Sequence, residues 1–117
     1  MGYELARILF QAGGKVYIAG RSEEKARKAI AEIKALEHDA STAGELEFLL
    51  LVLDDLSTIK ASAEAFKSKE SKLDVLFNNA GVSSLAEGNL FAQGYDRMLA
   101  TNCLGPYLFT QLLLPTL

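Results

Sequence analysis

One cysteine and one histidine occur in 117 residues, and both scarcities exclude chemistry. Cys103 alone builds neither a disulfide framework nor a cysteine metal cluster. His38 lies in a polar stretch and reads as a solvated surface side chain rather than a ligand or general base. No metal site is therefore expected. No apolar run approaches the roughly 18 residues that a membrane span needs, and no basic, apolar, small-residue leader opens the chain. Internal repeats and low-complexity linkers are absent as well. Positive charge is in short supply: 12 Lys and Arg stand against 15 Asp and Glu, a net charge of −3. With no basic stripe to offset it, that balance argues against a nucleic-acid partner. What is present is globular in composition, 50% hydrophobic and 23% charged, and its length suits one domain, residues 1–117. The expectation is a soluble protein of the cytoplasm.

The pattern alternates helix and strand. Leu5, Ile8, Leu9 and Ala12 recur at helical spacing, and Gly13-Gly14 ends that helix by supplying a positive φ. Residues 15–19, "KVYIA", form a short β-branched and aromatic run that reads as a strand. After Gly20-Arg21 comes Ser22, a natural N-cap for a helix whose apolar face is Ala26, Ala29, Ile30, Ile33 and Leu36. A polar loop over residues 37–45 leads to "LEFLLLVL" (46–53), apolar on both faces as in a strand covered on both sides. Ile59, Ala63 and Phe66 mark a third helix. "LDVLF" (73–77) reads as a third strand, and a loop through Gly94 leads to a last helix from Tyr95 to about Leu114. This alternation predicts an α/β fold: a three-layer, Rossmann-like parallel sheet between helices.

Three short stretches carry chemistry. Asn78 and Asn79, with Ala80 and Gly81, close the third predicted strand. In an open parallel sheet ligands sit at the carboxyl ends of strands. Amides there tie neighbouring segments together, and the small Ala80 and Gly81 let a flat ligand approach the backbone. An ordinary Asn/Gly turn reads equally well. Arg21 and Ser22 close the strand at 15–19, another strand end of the predicted sheet. A guanidinium there suits a phosphate, the alternative being an exposed arginine beside an N-cap. Pro106 lies four residues after Asn102. Lacking an N–H, it cannot bond the Asn102 carbonyl, so the helix is expected to kink and that oxygen to hold a water. A plain break between two short helices at Gly105-Pro106 is the competing reading.

Taken together, the sequence resembles the short-chain dehydrogenase/reductase family. The resemblance rests on "GYELARILFQAGGKVYIAGRS" (2–22), "LDVLFNNAGV" (73–82) and "TNCLGPYLFTQLLLP" (101–115), collinear and at the right separations. It implies an NAD(P)-binding Rossmann domain that moves hydride between a nicotinamide and a small-molecule alcohol or carbonyl. NADP is favoured over NAD through Arg21 and Ser22, because no acidic side chain stands there to bind the ribose hydroxyls of NAD. Gly2 matches the last glycine of the family's phosphate-binding turn. Asn79, Ala80 and Gly81 match its Asn-Asn-Ala-Gly motif. Val52 and Leu53 fall where an aspartate and its partner usually approach the adenine, so either that contact is lost or the strand end slips to use Asp54; Leu53 is kept as the cofactor-side candidate, and Asp55 reads as a solvated residue just before a helix. Asn102 matches the asparagine of the family's Asn-Ser-Tyr-Lys catalytic group, whose backbone holds a proton-relay water.

The resemblance also implies parts that lie outside these residues. No tyrosine here is followed four residues later by lysine, and unperturbed tyrosine, with a pKa of about 10, needs that help at neutral pH. The family's first strand, central in its 3-2-1-4-5 order, and its other glycines would precede Met1. A partial domain, from an incomplete gene model or a truncated product, is therefore expected. Its two inner strand edges would close up, pair with another chain or fold only marginally. A non-catalytic module that pairs with a copy of itself or with a full-length relative, or weakly binds nucleotide, is the alternative.

Overall fold

The computed structural model describes residues 1–36, 41–82 and 96–117. His38, Gly94 and Tyr95, with the expectations placed on them, lie outside these residues. The chain divides into two compact units, residues 1–50 and 51–117.

The first unit is built on a pair of parallel strands. Helix α1 (Gly2–Gln11) ends where Gly13 takes φ +95°, a conformation that glycine adopts without penalty. Strand β1 (Lys15–Gly20) follows, then helix α2 (Glu23–Ala35), then strand β2 (Glu45–Leu50). β1 and β2 pair in parallel from Lys15 opposite Glu45 to Gly20 opposite Leu50. Ser22 caps α2 as its sequence position suggests, its Oγ accepting from the Lys25 N–H at 3.2 Å. Ala6, Phe10, Ile33 and Leu46 form the core, with Val16, Ile18 and Ile30 packed against it. Burying a side chain such as Phe10 or Ile33 contributes about 1.5–3 kcal/mol. The buried stripe of α1 is thus Ala6 and Phe10, not the expected Leu5–Ile8–Leu9–Ala12 face, and Ile8 is exposed.

The second unit is helical. Asp55 caps helix α3 (Leu56–Lys69) by accepting from the Ser57 N–H at 3.2 Å. Ile59, Ala63 and Phe66 are buried along that helix, the face its spacing predicts. A one-turn helix α4 (Arg97–Leu99) runs into a π-helical turn at Ala100–Leu104, then helix α5 (Gly105–Leu113) and a 3₁₀ turn at Leu114–Thr116. α3 packs against α5, whose Phe109 and Leu113 are buried.

One expected element does not form. Residues 73–77 belong to no strand, and the described sheet has two strands only. Val75 and Phe77 are exposed. The run has strand composition, yet a strand exists only when a neighbour completes its ladder, and no described segment does. The fold is α/β with a two-stranded parallel sheet flanked by helices, incomplete as expected. Among the described residues no helix is long and apolar enough to cross a membrane, and no cluster of three metal-ligating side chains occurs.

Candidate functional site

In the first unit, the start of α1, the end of β1 and the start of α2 converge on an open cleft of about 320 Å³. Gly2, Tyr3, Gly20, Arg21, Ser22 and Lys25 line it, over a floor that includes Ile18 and Ala26. Three of the sequence-predicted residues, Gly2, Arg21 and Ser22, therefore meet in one place. The first N–H groups of α2 have no helical partner within the helix, so this end carries partial positive charge. Arg21 and Lys25 add two full charges beside it. Ser22 Oγ accepts from Lys25, which leaves its hydroxyl hydrogen free to donate elsewhere. Lys25 and Tyr3 were not picked out by sequence reading. Lys25 looked like one of several surface charges on α2, and only the position three residues past the N-cap singles it out.

In the second unit, two amides hold the segment 78–82 along the last helix. Asn78 Nδ2 donates to Thr110 Oγ1 at 3.1 Å, and Thr110 Oγ1 donates to the Pro106 carbonyl at 2.7 Å. The Val82 N–H donates to Asn102 Oδ1 at 2.8 Å, while Asn102 Nδ2 donates to the Val82 carbonyl at 2.9 Å. Asparagine suits position 102 because one short side chain must both donate and accept. Asn79, Ala80 and Gly81 lie between these anchors and are exposed. A Cβ on Gly81 would meet Asn102 Oδ1 at 3.4 Å.

At Asn102, where a kink is expected, the structure has a π turn. The Gly105 N–H bonds the Ala100 carbonyl, five residues back rather than four. Pro106 supplies no N–H to the Asn102 carbonyl, and π turns of this kind frequently mark functional positions. The Asn102 side chain is engaged with Val82 on both its donor and its acceptor. Leu53 lies under this turn: a Cβ on Gly105 would overlap the Leu53 carbonyl oxygen. Asp54 is buried, and its Oδ2 accepts from Arg97 Nε at 2.7 Å. Neither partner of that pair could be read from sequence, since 43 residues separate them.

A model of the short chain dehydrogenase family matches residues 1–117. The chain belongs to that family. A short-chain dehydrogenase/reductase of Phomopsis amygdali is 50% identical over 117 residues, all of this chain and 34% of that protein. The Pseudomonas aeruginosa RhlG/NADP active-site complex has a TM-score of 0.78 at 26% identity over 99% of this chain and 43% of that one. A metagenomic short-chain oxidoreductase in complex with NADP has a TM-score of 0.74 at 29% identity, covering 95% and 48%. The chain thus spans about a third of the length of the curated relatives it matches, 34% and 36% for two of them. Short-chain dehydrogenases bind NAD(P) and act on small-molecule substrates, and these residues correspond to the amino-proximal part of their nucleotide-binding domain.

Proposed function

We propose that the chain is the amino-proximal portion of an NADP-dependent oxidoreductase acting on an alcohol or carbonyl substrate. The observation that carries this reading is the cleft formed by residues 2–29. Its donors, Arg21, Lys25, the Ser22 hydroxyl and the α2 N-terminus, fit the 2′-phosphate that distinguishes NADP from NAD. Among the described residues no carboxylate lines the cleft to take the ribose hydroxyls in its place. Gly2, at the start of α1, is assigned to the pyrophosphate, and Leu53 to the adenine side. Asn79, Ala80 and Gly81 offer a narrow backbone shelf for the cofactor. Bound nicotinamide supplies or accepts the hydride. The Asn102 carbonyl, which takes no bond from Pro106, orients the water of the proton relay, while the Asn102 amide keeps that turn fixed to Val82. The general-acid tyrosine and its lysine come from the portion of the protein outside these residues, so residues 1–117 by themselves bind cofactor without turnover.

Titration with NADPH and NADH, read by nicotinamide fluorescence, tests the assignment. NADPH is expected to bind more tightly. A charge-assisted phosphate contact is worth about 1.5–3 kcal/mol, so Arg21→Glu should weaken NADPH by roughly ten- to a hundredfold, while NADH affinity should hold or rise because a carboxylate there suits the ribose hydroxyls. Equal affinity for the two cofactors in the parent protein would overturn the NADP assignment.

A further inference from the structure

The π turn is tethered on both sides of Asn102 by neighbouring residues of one loop. On the near side, Arg97 Nε donates to Asp54 Oδ2 at 2.7 Å. On the far side, Gly105 rests directly on the Leu53 backbone, with room for no Cβ. Leu53 and Asp54 are adjacent, with Cα atoms about 3.8 Å apart. Positions 97 and 105 are eight residues apart, about 12 Å along a regular helix. The long Arg97 side chain reaches back over that difference. Asn102 lies between the two tethers, and its amide in turn fixes Val82. The Asp54 carboxylate is buried, and its side chain is 10% exposed against 35% for Arg97. The pair is part-buried, and a charge-assisted bond of this kind adds geometric specificity as well as energy.

We propose that Asp54 and Arg97 are positioning residues: their ion pair fixes the phase of the π turn, and so aims both the Asn102 carbonyl and the amide that holds Val82. The proposal rests on the role given to Asn102 above, but its geometric part is measured separately. Asp54 on this view does not serve the adenine; its carboxylate is committed to the turn.

The test uses the intact protein with Asp54→Asn, Arg97→Gln and the conservative Arg97→Lys. Amide relaxation at Gly81 and Val82 is the decisive readout. In the parent protein the order parameters should lie near about 0.85, and in Asp54→Asn and Arg97→Gln they should fall below about 0.6, while those of α3 stay rigid. Arg97→Lys, which keeps the cation, should retain most of the order and serves as the conservative control; if Asp54→Asn does not fold, Arg97→Gln decides. The paired substitution Asp54→Asn with Arg97→Gln should loosen 81 and 82 no further than either change alone. Unchanged order at 81 and 82, or a loss spread equally over α3, overturns the proposal. In the catalytically competent protein the same variants should lower kcat at least tenfold with NADPH affinity held. A loosened Val82 with kcat unchanged would support the positioning and count against the role of Asn102 itself.

Discussion

Gly105→Ala separates two opposing effects whose sizes are known. Gly105 lies in αR geometry with φ −60°, where alanine is at ease. On helix propensity alone the substitution should stabilise the protein by about 1 kcal/mol. Packing says the reverse. The added Cβ would overlap the Leu53 carbonyl oxygen and stand 3.0 Å from Leu53 Cβ and 3.1 Å from the Ala100 carbonyl oxygen. Two of these three neighbours are backbone atoms and cannot swing aside by changing rotamer. Either α5 or the 51–55 loop must shift, and overpacking of this kind costs about 1–3 kcal/mol or more. Movement of that loop also strains the Asp54–Arg97 bond, so the upper part of the range is expected. After subtracting the propensity gain, a net loss of about 2 kcal/mol follows from the same two terms. Denaturant unfolding checks it: the midpoint should fall with an unchanged slope. Gly20→Ala is the control, because a Cβ there has nothing within 4 Å, and it should stabilise by about 0.4–1 kcal/mol through the unfolded chain. If Gly105→Ala matches or exceeds the parent in stability, the close approach of α5 to Leu53 is wrong.

Two further substitutions probe single groups. Ser22→Asp keeps a good N-cap on α2, so stability should change by less than about 0.5 kcal/mol, whereas NADPH binding, measured by fluorescence titration, should weaken at least tenfold because a carboxylate replaces a hydroxyl beside the phosphate. Retained NADPH affinity would reduce Ser22 to a cap. Thr101 is buried, and among the described residues its Oγ1 has no hydrogen-bond partner; leaving such a group unpaired costs about 1–3 kcal/mol. Thr101→Val removes the hydroxyl and nearly preserves shape, so thermal unfolding should show a gain on the order of 1 kcal/mol. A loss of stability would mean that the hydroxyl has a partner in solution.

The readable features were those whose cause lies within a few residues. Gly13 at positive φ, Ser22 as the cap of α2 and the Ile59–Ala63–Phe66 face of α3 each follow from local stereochemistry or from a single amphipathic stripe. α1 was read out of phase because it carries apolar residues on more than one face, and sequence does not say which face is covered. The π turn was half legible: Pro106 announces a missing donor four residues after Asn102, but nothing local says that Gly105 will bond Ala100 instead. The run at 73–77 marks the limit most clearly. Its composition is that of a strand, yet strand formation belongs to a pair of segments, and without a partner Phe77 stays exposed. The same reasoning applies to the site. Arg21 and Ser22 could be named from charge and capping because they share one strand–helix junction, and Gly2 from its motif at the start of α1. The Asn102–Val82 clamp and the Asp54–Arg97 pair join residues 20 and 43 positions apart, and only the three-dimensional path of the chain brings them together. These long-range contacts act on the geometry of the turn rather than on its composition, so substitutions there should alter how Asn102 is presented before they alter whether the helix forms.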